Sequence, residues 1–430
     1  MVLILEAQPG LLLQRREEAS SMNLEEKAEF FERRLFDRFM LHPYSLIADA
    51  RVVNQPLTAH VDHSAHLLTI IALEHSVTGD RRLVGIAKSI IDSIIELDRA
   101  NGLDGFLPMT ARSQYGSLVV VNNWSRANNF TQLLVAYNTA YRLFEDPKIR
   151  EAIRKHVTLI AQYYARNEFI LRDNNGRELP YSNLSPVFFN SLSSILKLKL
   201  YPESAAFPYN ASRRMDALLL IETGLNIIDK HENHGLFEYL QKKRREFTEQ
   251  YGYLKNIHRL HVELGVTEYP TPSTHWLNFL ILNALRHLNP AEQAYATAIE
   301  SLFRAQDGAQ NPFFGLLYFD AVPNVHPERK RIIEDLTQYV LSTFPLTLTN
   351  EYEMPKLDGS YKTRVRRFKL KRGVTEVVPP LPVHSRYLRN CEWKESAFRL
   401  INPKTEPIKM EFNGADYLSA YWLLQSVRKS

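Results

Sequence analysis

Apolar positions along this chain gather into segments of two kinds that alternate. One kind is apolar nearly all round and opens after a polar cluster: His60–Val77, Ser125–Phe144, Ser182–Leu198, Ser273–Leu288, Asn311–Ala321 and Asp416–Val427. The other carries one apolar stripe and a charged face: Arg82–Arg99, Lys148–Arg166, Arg213–Lys230, Ala291–Arg304 and Glu328–Thr343, with Leu24–Met40 of the same character at the start. A helix that is apolar all round must be buried, and one with a single stripe covers it. The pattern predicts an all-α fold in which six inner helices are ringed by six outer ones, the N-terminal helix completing the outer ring.

The connections alternate as well. Inner-to-outer turns are short. Thr78-Gly79-Asp80-Arg81 offers a glycine for a helix C-cap, and Glu145-Asp146-Pro147 places proline at a first helical position. Outer-to-inner connections are long: Asn101–Trp124, Asn167–Tyr181, Lys255–Pro272 and Pro345–Ala415. Loops of that length in a compact fold carry function or disorder, and the Trp, Tyr, His and Phe in these favour function. In an antiparallel ring they all emerge at the end that holds the N-termini of the inner helices, with their unpaired N–H groups and positive dipoles. A cleft is expected at that mouth. The longest connection, 345–415, contains Pro379-Pro380-Leu381-Pro382 and the alternating stretches Lys362–Lys371 and Pro407–Phe412. It reads as a small β excursion over the mouth, between the fifth outer and sixth inner helices. The segment Phe237–Glu263 starts as a helix and continues as a loop rich in Tyr and His.

Composition narrows the function. At 430 residues the chain is long for one domain, but a ring of hairpins grows its core with each hairpin, so residues 1–430 read as a single domain. No run of 18 apolar residues occurs, and the first residues lack a basic region ahead of an apolar one, so a cytoplasmic protein without a membrane span is expected. Cys391 is the single cysteine, which excludes an internal disulfide and a cysteine-based zinc site. The net charge is +5, and the densest basic run, Arg364–Arg372, alternates with apolar residues as a charged strand edge does. No nucleic-acid-binding motif accompanies it. With 16 glycines, the chain lacks phosphate-binding loops, dinucleotide fingerprints and nucleophile elbows.

The unit of Asp62 opening an inner helix, Leu73-Glu74-His75-Ser76-Val77-Thr78-Gly79-Asp80, an outer helix, and then Asp104-Gly105-Phe106-Leu107-Pro108 resembles the six-hairpin (α/α)6 toroid superfamily of glycosidases and polysaccharide lyases. The resemblance covers about Leu24 to Arg428 and concerns architecture. It implies a carbohydrate-active enzyme: a glycoside hydrolase, an unsaturated uronyl hydrolase, a lyase or a sugar epimerase. Other toroids fit less well. Lanthionine-synthetase-like ones need cysteine ligands, and terpene cyclases carry aspartate runs that this chain lacks.

Candidate chemistry sits at the predicted mouth. His60, His63 and His66 share one helix, but His66 lies about 120° around the axis from His60, so the three do not converge on a metal by themselves. No metal and no cofactor is expected. Asp62, at a helix N-terminus, reads either as a cap or as a nucleophile, base or hydroxyl acceptor. Asp104 reads as a turn residue or as a carboxylate folded over the cleft. Asp416 mirrors Asp62 on a neighbouring helix. Glycoside hydrolysis needs two carboxyls, about 5–5.5 Å apart for retention or 6.5–9.5 Å for inversion, so Asp62 with Asp104 or with Asp416 are the candidate catalytic pairs. The cluster Asn122 to Asn129 supplies Asn123 and Asn128, a Trp124 face for a sugar ring and an Arg126 fork for a uronate. Tyr181, His275 and Trp276, with His60, complete the candidate substrate-binding set.

The leading expectation is a hydrolase acting on an oligosaccharide, one that contains uronic acid being compatible with Arg126. A lyase or epimerase using Asn123, Arg126, Tyr181, His258 and His275 is the alternative. A toroid that binds a glycan or a partner without turnover is the third reading.

Overall fold

The computed structural model describes residues 21–52, 54–122, 125, 127–185, 206–254, 257, 272–306, 311–322, 324–348, 383, 393 and 410–429. The chain is mostly helical. Its described helices are α1 (Leu24–Arg38), α2 (Val61–Thr78), α3 (Arg82–Ala100), α4 (Ala127–Leu143), α5 (Pro147–Arg166), α6 (Ala206–Ile227), α7 (His234–Arg245), α8 (Pro272–Leu288), α9 (Gln293–Gln306), α10 (Pro312–Ala321), α11 (Pro327–Ser342) and α12 (Ala415–Lys429).

Short-range chemistry sets many of the ends. Asn23 and Glu26 form a reciprocal capping box at α1. Asp146 accepts from the Lys148 and Ile149 amides, with Pro147 in the first turn of α5. Asn311 caps α10 ahead of Pro312, and His326 caps α11 ahead of Pro327. Gly79 closes α2 in the left-handed conformation.

The even-numbered helices pack on one another in chain order. α2 touches α4, α4 touches α6, α6 touches α8, α8 touches α10, α10 touches α12, and α12 returns to α2. Each odd-numbered helix from α3 to α11 lies on the helix that precedes it in the chain, while α1 lies on α12 and reaches α11. α4 and α8 also meet directly. Polar pairs bind neighbouring layers together. The Tyr137 hydroxyl on α4 lies 2.7 Å from His156 Nδ1 on α5, and His156 Nε2 lies 3.2 Å from Asp98 Oδ2 on α3, all three side chains buried. A carboxylate only accepts, so Nε2 carries a proton toward Asp98.

One pair of segments exchanges roles. Arg213–Lys230, expected among the outer helices, lies within an inner one: residues Met215 to Gly224 of α6 are buried without a break, against α4 and α8. Its charges suggested a solvated face. In the fold Asp216 accepts from Thr131 at 2.6 Å, and Glu222 pairs with Arg244 of α7 at 2.7 Å, so they are met inside. The outer companion is α7, from the segment read as irregular. The helix expected over Ser182–Leu198 is not where its opening residues are: 181–183 finish strand β8, and residues 186–205 lie outside the described residues.

The strands are short and more widely spread than the single β excursion expected. β1 (Met40–Leu41) pairs with β2 (Leu46–Ile47). β3 (Ala50–Val52) pairs with β9 (Met410–Phe412). β4 (Ala59–His60), β5 (Thr110–Gln114) and β6 (Ser117–Asn122) form one antiparallel sheet, and β7 (Ile170–Arg172) pairs with β8 (Glu178–Asn183). The three-stranded sheet is built largely from the Asn101–Trp124 connection and abuts the start of α2. Of the longest connection, Met410–Phe412 does form a strand; most of 349–409, including Lys362–Lys371, Arg364–Arg372, Pro379–Pro382 and Cys391, lies outside the described residues.

Candidate functional site

At the N-terminal ends of the inner helices the core is unusually polar. His63, Asn129, Gln132, His275, Asn278 and Asp416 are buried in the first two turns of α2, α4, α8 and α12, and Asp216 of α6 lies level with them through Thr131. Burying such groups is costly unless they are bonded or serve a site.

The predicted residues divide as follows. Asp62 is half-buried in the first turn of α2, with Oδ1 accepting from the His63 amide at 3.1 Å. Asp416 is buried in the first turn of α12, and its carbonyl accepts from Trp393 Nε1 at 2.7 Å. The two helices pack together. His60 ends β4, with Nε2 3.6 Å from the Asp49 carboxylate and its ring edge-on to His63. Asn128 is half-buried and His275 is buried at the same end of the fold. Tyr181 belongs to β8. Asn123, Trp124 and Arg126 lie outside the described residues, as do His258, His261, Glu351 and Glu353.

Two candidates at this end have other surroundings. Asp104 is exposed in a turn beyond the end of α3, where the next residue, Gly105, has φ +81° and a Cβ position that would fall 2.3 Å from the Leu159 carbonyl oxygen of α5. The Gly105 amide donates to Asp98 at 3.0 Å, and Phe106 and Leu107 are fully buried. The Asp-Gly motif therefore wedges a turn between the outer helices α3 and α5. Trp276 turns toward the axis, where its ring meets that of His66 at 5.8 Å.

Trp276 and His66 line an axial cavity of about 230 Å³ to which every inner helix contributes. Its inner end is closed by Gln132, Trp276, Phe313 and Ser419, all buried. Its open end is ringed by Tyr141, Arg142, Asn226, His287, Leu288 and Asp320, exposed or half-buried in the last turns of α4, α6, α8 and α10. The opening thus faces the end opposite the predicted mouth.

Asp320 is the one carboxylate in the described lining. Its Oδ2 accepts from Asn283 Nδ2 and from His287 Nε2, each at 2.9 Å. Burial pushes the Asp320 carboxyl up, but the bonds from His287 and Asn283 and the His287 and Arg142 charges outweigh it and hold it below the usual aspartate range. Deeper in, Asn138 Nδ2 donates to the Leu134 carbonyl at 2.8 Å and to Thr223 at 2.7 Å, which orients the amide. Sequence reasoning missed this end because His287 and Asp320 look like ordinary helix-end residues. A signal existed in their shared position, at the last turns of consecutive apolar helices.

Trp393 was also missed. It is fully buried, bonds the Asp416 carbonyl through Nε1, and accepts at its own carbonyl from Asn311 Nδ2 at 3.0 Å, so it brings the long connection onto the starts of α10 and α12. Among the described residues, no group of three or more His, Cys, Asp or Glu is set to hold a metal ion, and no helix is long and apolar enough to cross a membrane. Comparison with family models, curated proteins and solved structures finds no match to this chain.

Proposed function

We propose that this protein is a carbohydrate-active enzyme on an (α/α)6 toroid, a glycoside hydrolase acting on an oligosaccharide at the N-terminal rim of the inner helices. The observation that carries the reading is the placement of Asp62 and Asp416, each in the first turn of an inner helix, on helices packed side by side. Two carboxyls at one rim, in different surroundings, are what acid-assisted glycosidic cleavage requires. Asp416 is the more enclosed and suits the protonated acid; Asp62, half-buried beside a helix N-terminus, suits the ionised nucleophile or base. The order of inner and outer helices and the packing of α12 on α2 support the toroid. His60 and Asn128 serve as hydroxyl-binding groups, with Asn123, Trp124 and Arg126 as proposed sugar and carboxylate contacts. A cytoplasmic location is part of the same proposal.

The test is release of reducing ends from a panel of neutral, uronate-containing and unsaturated oligosaccharides. Asp62→Asn and Asp416→Asn are each expected to lower turnover by about 10²–10⁴-fold. Full turnover by both variants rules out the pair. The burial of His63 and His275 in the same polar layer favours a second reading, proton abstraction by a lyase or epimerase. A product absorbing as an unsaturated uronate, or an epimer of unchanged mass, selects it.

A further inference from the structure

The axial cavity opens away from the proposed catalytic rim and differs from it in chemistry. Leu73, Val135, Leu280, Phe313, Leu317 and Leu423 make its wall mainly apolar, while polar side chains gather at its opening. A blind apolar pocket with a few polar groups at one end is the usual form of a small-molecule site, and about 230 Å³ is below the ~300–1,000 Å³ range of drug-sized pockets. We propose that this cavity binds a small amphipathic carboxylate, its apolar body inserted toward Phe313 and Trp276 and its carboxylate held at the opening by Arg142.

The charge assignment follows from what each rim group already does. The Asp320 charge is met by His287 and Asn283. Asn226 Nδ2 donates to the Glu222 carbonyl at 2.9 Å. Arg142 is exposed at the rim; it attracts Asp320 through space but enters no salt bridge among the described residues, so its guanidinium fork is open to a second carboxylate. A guanidinium pairs bidentately with a carboxylate. The helix C-termini at the same rim and the Asp320 carboxylate oppose an anion, and His287 is already bonded to Asp320, so Arg142 is the group that can pair with the head group directly. The aromatic faces of Trp276 and Phe313 at the closed end suit an aryl body.

The site is tested by calorimetric titration of the full chain with 3-phenylpropionate and with 3-phenylpropanol, which keeps the body and loses the charge. The wild type is expected to bind 3-phenylpropionate saturably and more tightly than the alcohol. Arg142→Gln is expected to weaken the carboxylate at least about tenfold and to leave the alcohol unchanged. Thr139→Phe, which fills the half-buried lumen wall, is expected to abolish both. Asp62→Asn is expected to bind as the wild type does, which separates this site from the catalytic rim. Arg142 is exposed, so its variant reports even if Thr139→Phe fails to fold. Absence of saturable binding, equal affinity for the alcohol, or indifference to Arg142→Gln overturns the proposal.

Discussion

Glu74 shows how one residue takes its chemistry from its surroundings. It is buried on α2, and burial, with the negative charges of Glu32 and Asp80 partly offset by Arg82, pushes its carboxyl up to about 8 from an ordinary 4.5. In the unfolded chain it ionises near the ordinary value, so between about pH 4.5 and 8 the folded state holds a proton that the unfolded state has lost. Its contribution to stability is fully present below pH 4.5 and is lost as pH rises to about 8. Glu74→Gln, which never ionises, is therefore expected to melt higher than the wild type at pH 8 and to lose that advantage near pH 4.5. Parallel melting curves across the range would refute this. Gly105 is the second such case. With φ +81° and the Leu159 carbonyl against its Cα, Gly105→Ala is expected to destabilise by more than about 1 kcal/mol in denaturant melts, through strain and a forced retreat of α5. The Asp-Gly motif was legible in the sequence; that its second residue answers to a neighbouring helix was not.

At the scale of elements, the sequence located helices well wherever local chemistry and periodicity agreed. α2, α3, α4, α5, α8, α10 and α11 lie within a few residues of the stretches read from apolar spacing, and Pro147 and Gly79 act at their ends as the spacing implied. The misreading at Arg213–Lys230 has a definite cause. Polar spacing on α6 reports where Asp216 and Glu222 lie on the helix, but whether they meet water or meet Thr131 and Arg244 depends on helices α4 and α7. The helix expected from Ser182 does not begin there for a similar reason: Ser182 and Asn183 finish β8, and pairing with β7, a partner the local pattern does not show, holds them extended.

At the scale of the molecule, the first described helix is locked to the last two. Lys27 of α1 is fully buried, and its ammonium donates to the carbonyls of Leu341, Ser342 and Phe344, at 3.3, 2.5 and 3.2 Å, at the end of α11. A cation there satisfies carbonyls left open by the helix and complements its dipole, and burial pulls the amine down to about 8. Nearby, the Tyr417 hydroxyl donates to the Leu24 carbonyl at 2.7 Å. Lys27→Met is expected to lower stability by about 1–3 kcal/mol at pH 7, since it strands buried acceptors. Faster amide hydrogen exchange in α1 and at the end of α11 than in α4 should accompany it, and an unchanged melt would remove this lysine from the closure.

The sequence by itself determined that the chain is mostly helical, where most of the described helices lie, and that carboxylates and histidines open several inner helices, because these depend on side-chain spacing and local capping. Tertiary structure alone decided that α6 is inner, that Asp104 belongs to a turn wedged between outer helices, that Trp276 faces the axis, and that the lumen opens beside Arg142 and Asp320. Each of those outcomes depends on which distant groups pack against a residue, and spacing along the chain carries no record of the partner across the core.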